Sequence, residues 1–209
     1  MTKLETLHNE IGNCTVCGEF TELLKSSNLE RGPSASIMIV GIAPGNNEVK
    51  RNLAFSGQAG KTLFDWLNKA GIGNNETEIR KHVYLTSIIK CSLINFNFLR
   101  PMMRNCIHFL DSQIQLVNPK LFVTLGSVVF NKLLNNNLTV EEIVGNSYTY
   151  DDFFLPDMFS TDIPLKDVNL IIPFPHPSGR STWIQKDENN KKLEKAIHIL
   201  SDNYKKAQK

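Results

Sequence analysis

The chain has 209 residues, which is enough for one domain with a buried core. Its hydrophobic content of 41% and charged content of 21% are ordinary for a globular protein, and the net charge of +2 is compatible with a local basic face without requiring one. No apolar run reaches the roughly 18 residues of a membrane span, and the first residues, MTKLETLHNE, lack the apolar region of a secretory signal. A cytoplasmic protein with no membrane partner is therefore expected.

Apolar patterning along the chain predicts strands that alternate with helices. Short β-branched runs indicate buried strands, and apolar residues three or four positions apart indicate helices. In chain order we predict a strand at 36–42, a helix at 60–72, a strand at 82–89, a helix at 102–117, a strand at 120–126, a short helix at 128–134, a strand at 168–174 and a C-terminal helix with an apolar face from Leu193 to Tyr204. Residues 144–167 are polar, aromatic and irregular, which indicates an insertion or a hairpin.

This alternation predicts an α/β fold with three αβα layers around a central, mainly parallel four-stranded sheet. We expect residues 1–209 to form a single domain, with the N-terminal segment 1–35 packed on it. Ligand sites in such sheets form at the carboxyl ends of the strands. Unusual segments follow three of the predicted strands: GIAPGNNEVKRNLAFSGQAG (41–60), KCSLINFNFLRP (90–101) and PHPSGRSTW (175–183). The sequence therefore predicts one site built from these three segments.

Four cysteines form an uneven pattern, with Cys14 and Cys17 in a C-x2-C pair and Cys91 and Cys106 far downstream. Structural disulfides are not expected in a cytoplasmic protein, whereas C-x2-C places two thiolates on one turn, where they suit a metal centre. A zinc ribbon normally has a second tight pair, and four thiolates also hold a [4Fe–4S] cluster. The spacing leaves three interpretations open: a cluster, a zinc site, or no metal, with Cys91 and Cys106 as small buried hydrophobes.

Several segments, taken in their order along the chain, resemble the uracil-DNA glycosylase superfamily, most closely its iron–sulfur branch, family 4. They are CTVC (14–17), GIAPGNNE with FSGQAG, YLTSIIKC (84–91), the helix that carries Cys106, PKLFVTLGS (119–127) and HPSGR (176–180). The resemblance implies a [4Fe–4S] cluster on Cys14, Cys17, Cys91 and Cys106. It also implies an enzyme that excises a deaminated base, typically uracil, from DNA. We expect the protein to be a monomer.

The resemblance further assigns roles to individual side chains. His176 would donate a hydrogen bond to the base carbonyl as negative charge develops, and Phe55 would stack on the flipped base. Glu48 would be the catalytic carboxylate that orients water or stabilises the positive sugar. Further base contacts are implied for Gly41, Ile42, Ala43, Asn47 and Ser87. DNA contacts are implied for Gly57, Lys61, Ser178 and Arg180.

Two positions depart from the family pattern. Ile42 occupies the place of the acid in the family's Gly-Glu-x-Pro-Gly loop, although Glu48 retains the second acidic place. Ser87 occupies the place of the asparagine that reads the base edge, and a hydroxyl cannot offer an amide's paired donor and acceptor. An alternative is therefore a protein of this fold that binds DNA or a damaged base with little or no cleavage. A third interpretation is an enzyme that acts on a nucleotide or on RNA.

Overall fold

A computed structural model describes residues 1–18, 35–93, 95–134, 136–149, 152, 168–178 and 182–208. Its centre is a four-stranded sheet of β1 (Ile37–Gly41), β2 (Val83–Ser87), β3 (Leu121–Leu125) and β4 (Leu170–Phe174). The strand order is β2-β1-β3-β4, and all three pairings are parallel. The predicted α/β fold with its parallel sheet is confirmed.

Helices connect the strands and cover the sheet. They are α1 (Lys3–Asn13), α2 (Asn46–Arg51), α3 (Gln58–Lys69), α4 (Glu76–His82), α5 (Leu99–Val117), α6 (Ser127–Leu133), α7 (Val140–Ile143) and α8 (Asp187–Ala207). Short 3-10 turns span Phe96–Phe98 and Thr182–Gln185. Within the described part of the chain, no helix has both the length and the apolar character needed to cross a membrane.

Helix α1 anchors the first cysteine pair to the rest of the structure. A capping box between Thr2 and Glu5 starts the helix, which buries Leu4, Leu7 and Ile11. These side chains belong to the same apolar core as the sheet, and α1 packs against α5. Because Cys14 follows the helix directly, this packing brings the C-x2-C pair to the face of α5 that carries Cys106.

Part of the predicted insertion, 144–167, pairs with the sheet. The Tyr148 N–H donates to the Ile171 carbonyl at 2.9 Å, and the Ile171 N–H donates to the Tyr148 carbonyl at 2.7 Å. This antiparallel bridge lies beside β4. The prediction for 150–151 and 153–167 lies outside the described residues.

Candidate active site

A pocket of about 190 Å³ lies at the carboxyl ends of the strands. The end of β1 and the segment after it contribute Gly41, Ile42 and Ala43, and the segment after β4 contributes His176. The end of β2 and the segment after it contribute Thr86, Ser87 and Lys90. The backbone holds the first two strand ends together, because the Ile89 N–H donates to the Ile42 carbonyl at 2.8 Å.

The aromatic wall of the pocket is Phe55. Its ring packs over Gly41, where a Cβ would lie 3.3 Å from Phe55 Cζ. The Phe55 backbone has φ of 53°, in the left-handed region that side chains rarely adopt. Non-glycine residues keep such a conformation only where the surrounding structure enforces it, and such positions cluster at functional sites.

Two contacts enforce the conformation of the Phe55 loop. The Phe55 carbonyl oxygen occupies the space where Gly60 would carry a Cβ, at 1.6 Å from that position. Arg80, which is buried and bonded to Glu76, donates to the Ala54 carbonyl at 2.7 Å. The loop is therefore preformed, and Gly60 serves internal packing rather than contact with a ligand.

Glu48 lies on α2 and links this helix to the start of α3 beside the pocket. Its Oε1 accepts a hydrogen bond of 2.9 Å from the Gly57 N–H, at the start of α3. The side chain is half-buried and lines the pocket. This hydrogen bond fixes the direction of the carboxylate, so Glu48 stabilises the loop and also places negative charge at the pocket.

His176 is exposed and lies between two buried prolines, Pro175 and Pro177. Its Nδ1 accepts a hydrogen bond of 3.2 Å from the Ser178 N–H. Partial burial in the pocket lowers the pKa of His176 below the ordinary 6.5, because the charged form loses hydration. The ring is thus neutral at pH 7, with its hydrogen on Nε2 as a donor.

The pocket floor contains a buried lysine that the sequence analysis did not predict. The Lys90 ammonium donates to the Ser87 carbonyl oxygen, to Thr86 Oγ1 at 3.1 Å and to Gln113 Oε1 at 2.7 Å. Burial lowers its pKa to about 7. Lys90 directly precedes the predicted metal ligand Cys91, and this position could have drawn attention to it. No local sequence pattern, however, indicates that a lysine is buried.

Other predicted site residues lie outside the pocket wall. Asn47 is exposed on α2, and its carbonyl accepts a hydrogen bond from Ser56 Oγ at 3.4 Å. Lys61 is exposed in the first turn of α3, close to Gly57. Arg180 lies outside the described residues.

The four cysteines border a second, smaller cavity between α1, α5 and the segment after β2. None of these four cysteines forms a disulfide within the described part of the chain, and Cys17, Cys91 and Cys106 are buried. Asn105 Nδ2 donates to Cys17 Sγ at 3.5 Å, and burial raises the pKa of the Cys106 thiol. Among the described residues, no three His, Cys, Asp or Glu side chains are grouped as a site for one metal ion. Four cysteines around one cavity fit an iron–sulfur cluster, which four Cys thiolates would hold.

Comparison with known proteins defines the family. The model of the uracil DNA glycosylase superfamily matches residues 30–201. The type-4 uracil-DNA glycosylase of Sulfurisphaera tokodaii is 32% identical over 155 residues, which is 72% of this chain and 68% of the relative. The type-4 uracil-DNA glycosylase of Thermotoga maritima is 28% identical over 68% of this chain and 72% of its own length. That of Saccharolobus solfataricus is 28% identical over 72% of this chain and 70% of its own length.

The fold and the pocket define an α/β protein with a pocket at the carboxyl edge of a parallel sheet. The chain belongs to the uracil-DNA glycosylase superfamily, because the family model covers most of its length. This confirms the family resemblance found in the sequence, and the type-4 relatives agree with the branch that was predicted.

Proposed function

We propose that this protein is a DNA glycosylase that hydrolyses the N-glycosidic bond of uracil or another deaminated base in DNA. The observation that carries the proposal is the presence of Phe55, Glu48 and His176 on one pocket of about 190 Å³. These residues supply an aromatic face, a carboxylate and a neutral hydrogen-bond donor. Relatives named uracil-DNA glycosylase support the proposal.

Base recognition would begin with a nucleotide flipped out of the DNA stack. The Phe55 ring offers the base a preformed stacking face, because the strained loop already holds it over Gly41. Stacking on an aromatic ring contributes about 1–3 kcal/mol per base. Ile42 and Ala43 complete the apolar part of the wall and exclude water from the base.

Bond cleavage would leave negative charge on the departing base and positive charge on the sugar. His176 Nε2–H would donate to a base carbonyl and stabilise the anion as the base leaves with the bonding electrons. The Glu48 carboxylate would stabilise the cationic sugar or orient the water that adds to it. Its hydrogen bond to Gly57 holds it in a fixed direction for that task.

We propose that residues at the rim of the pocket contact the DNA backbone. Lys61 and Gly57 lie at the start of α3, where the positive end of the helix dipole and an exposed lysine favour phosphate. Ser178 lies beside His176 and would contact the same strand. Arg180 follows in the chain, and its role stays a prediction from the sequence. Asn47 is the weakest of the proposed base contacts because it lies outside the pocket wall.

We propose that Cys14, Cys17, Cys91 and Cys106 hold a [4Fe–4S] cluster, with zinc as the alternative. When bound, the group would cross-link α1, the segment after β2 and α5 without taking part in bond cleavage. The cavity that all four cysteines line supports this assignment. A single-domain, monomeric, cytoplasmic protein remains part of the proposal, and the packing of α1 on α5 supports the single domain.

A second candidate function is binding of a damaged base without cleavage. Ile42 supplies no acid, and the Ser87 hydroxyl donates its hydrogen to the Ile89 carbonyl at 2.6 Å rather than to a ligand. These two features favour a catalytically weak or inactive protein. The retained Phe55, Glu48 and His176 favour the enzyme.

Excision from end-labelled oligonucleotides distinguishes the two functions. Uracil, hypoxanthine and xanthine would each be placed in single- and double-stranded DNA, and alkali would cleave the strand wherever a base has been removed. We expect cleavage with at least the uracil substrate, and a loss of about 100- to 1,000-fold in His176→Ala. Folded protein that binds but cleaves none of the substrates would contradict the enzyme and support the binding function.

A further inference from the structure

We propose that Asn105 tunes the reduction potential of the iron–sulfur cluster that the four cysteines would hold. Its side-chain amide donates a hydrogen bond to the sulfur of Cys17 and thereby raises that potential. This inference rests on the proposed cluster. It goes further because it gives a residue that binds no iron a role in the electronic properties of the bound group.

The hydrogen bond joins two segments that are far apart in the sequence. Asn105 Nδ2 donates to Cys17 Sγ at 3.5 Å, across 88 positions of the chain. Asn105 lies on α5 directly before Cys106, so the same helix supplies one proposed ligand and a donor to another. Cys17 is buried and Asn105 is half-buried, so water competes little for this contact.

Asn105 is the polar side chain at the cysteine cavity that is best placed for this role. Besides the cysteines, the described polar side chains that border the cavity are those of Thr15, Lys90 and Asn105. The Lys90 ammonium donates its three hydrogens to acceptors on β2 and α5. Thr15 is exposed to solvent. The amide of Asn105, in contrast, is directed at a cysteine sulfur.

The surroundings of the cavity strengthen the hydrogen bond. Ile11, Val16 and Phe109 line the cavity with apolar side chains. A hydrogen bond is electrostatically stronger in such a medium of low polarity than in water. A cysteine that binds metal does so as a thiolate, and hydrogen bonds to a charged acceptor are roughly twice as strong as neutral ones.

The direction of the effect follows from the charge on the sulfur. A donor draws electron density from a thiolate, so it stabilises the more reduced, more negative state of the bound group over the oxidised state. Hydrogen bonds to the sulfurs are among the factors that set the potentials of iron–sulfur clusters. The Asn105 amide therefore makes the group easier to reduce and harder to oxidise. This favours retention of a group that would cross-link α1 and α5.

The test compares Asn105→Leu and Asn105→Asp with the wild type as intact, cluster-loaded proteins. Leucine removes the donor at similar size, and aspartate removes it while keeping the shape and adding negative charge. Voltammetry of the adsorbed protein measures the reduction potential, and iron analysis measures the cluster content. We expect full iron content and, in Asn105→Leu, a reduction equilibrium about tenfold less favourable, which is a shift of about 59 mV to more negative potential for one electron. The shift in Asn105→Asp should be larger. A merely structural contact would change stability without this shift.

Asn203→Leu and Asn203→Asp are the matched controls. The Asn203 amide also makes a partly buried hydrogen bond, to the Ile199 carbonyl at 2.8 Å, but on α8 and away from the cysteine cavity. Both controls should keep the potential of the wild type. An unchanged potential in the two Asn105 variants, loss of iron from both, or zinc in place of iron in the wild type would overturn the inference. The expected shift in a protein that excises no base from DNA would instead contradict the proposed enzymatic function and leave the role of Asn105 intact.

Discussion

The carbonyl oxygen of Phe55 lies so close to Gly60 that a Cβ on Gly60 would fall 1.6 Å from it. The contact is made by backbone, which has no rotamer with which to move away. It holds Phe55 at φ of 53° and so directs the ring over Gly41 at the end of β1. The stacking face of the pocket therefore depends on a residue that lines no part of it.

Gly60→Ala should disrupt this loop. The added methyl group forces the Phe55 backbone away, so we expect a loss of about 3 kcal/mol in the free energy of unfolding, as for a severe overpacking substitution. Denaturant unfolding measures the loss, and base excision should fall with it. Asp65→Ala, at an exposed position on the same helix, should change neither quantity. A Gly60→Ala protein with wild-type stability would show that the loop is not held as described.

Two substitutions of Phe55 distinguish the strain in its backbone from the contribution of its ring to excision. Phe55→Ala and Phe55→Gly both remove the ring, and each should reduce excision by about 10- to 100-fold, the equivalent of one stacked base. Glycine tolerates positive φ, whereas alanine is strained there, so Phe55→Gly should be the more stable of the two by about 1 kcal/mol. Thermal unfolding of the two variants measures this difference. Equal excision by wild type and Phe55→Gly would exclude stacking by the ring.

The strands were predictable because their signal is local. Each strand is a short β-branched run that is buried along nearly its whole length, and only its ends differ from the prediction. Helices α2 and α4 were missed because they carry little apolar periodicity: α2 has no buried residue, and α4 buries only Ile79 and Arg80. Helix α1 was also missed, although Leu4, Leu7 and Ile11 have helical spacing.

The site was predictable in part for a similar reason. Strand ends in a parallel sheet meet at one edge, so the segments with Phe55 and His176 were expected together. The left-handed backbone of Phe55 arises from packing against Gly60, which no residue pattern encodes. The burial of Lys90 depends on Gln113, which lies 23 positions away on α5. Long-range polar partners of this kind leave no periodic signal in a sequence.

Loss of any proposed cluster ligand should release the metal. Cys14→Ser, Cys17→Ser, Cys91→Ser and Cys106→Ser should each lose iron, inorganic sulfide and the visible absorption of the cluster. Thermal stability should fall as well, because the cross-link between α1 and α5 is lost. Iron and zinc analysis of protein purified without air measures the content. Full iron content in Cys91→Ser or Cys106→Ser would show that the residue is a buried apolar side chain, and zinc in the wild type would replace the cluster assignment.

The pH dependence of excision should report His176. Its pKa lies below the ordinary 6.5, so the ring is neutral at pH 7 and above and gains a proton only as the pH falls below 6.5. Protonation places a hydrogen on Nδ1 and removes the acceptor for the Ser178 N–H. We expect a constant single-turnover rate from about pH 7 to 8 and a decline at lower pH. His176→Gln should be slower and lack this decline. A rate that rises as the pH falls through 6.5 would indicate that the charged imidazole is the active form.

Glu48 has two roles that different substitutions separate. Glu48→Gln keeps an oxygen that accepts from the Gly57 N–H but removes the negative charge, whereas Glu48→Ala removes both. We expect Glu48→Gln to reduce excision by at least about 100-fold at nearly unchanged stability. Glu48→Ala should lose a further 1–3 kcal/mol of stability, roughly the cost of an unpaired partner in this loop.

The matched control for Glu48 is Glu142→Gln, because the Glu142 carboxylate also accepts from a backbone N–H, that of Thr139, but on α7 and away from the pocket. It should leave excision unchanged. Single-turnover rates and denaturant unfolding of the three variants distinguish the roles. If Glu48→Gln excises at the wild-type rate, the carboxylate is only a loop contact, and the cationic sugar must be stabilised without it. In that case catalysis would depend on His176 and on stacking against Phe55. The absence of an acid at position 42, where the chain has Ile42, would then not lower the activity.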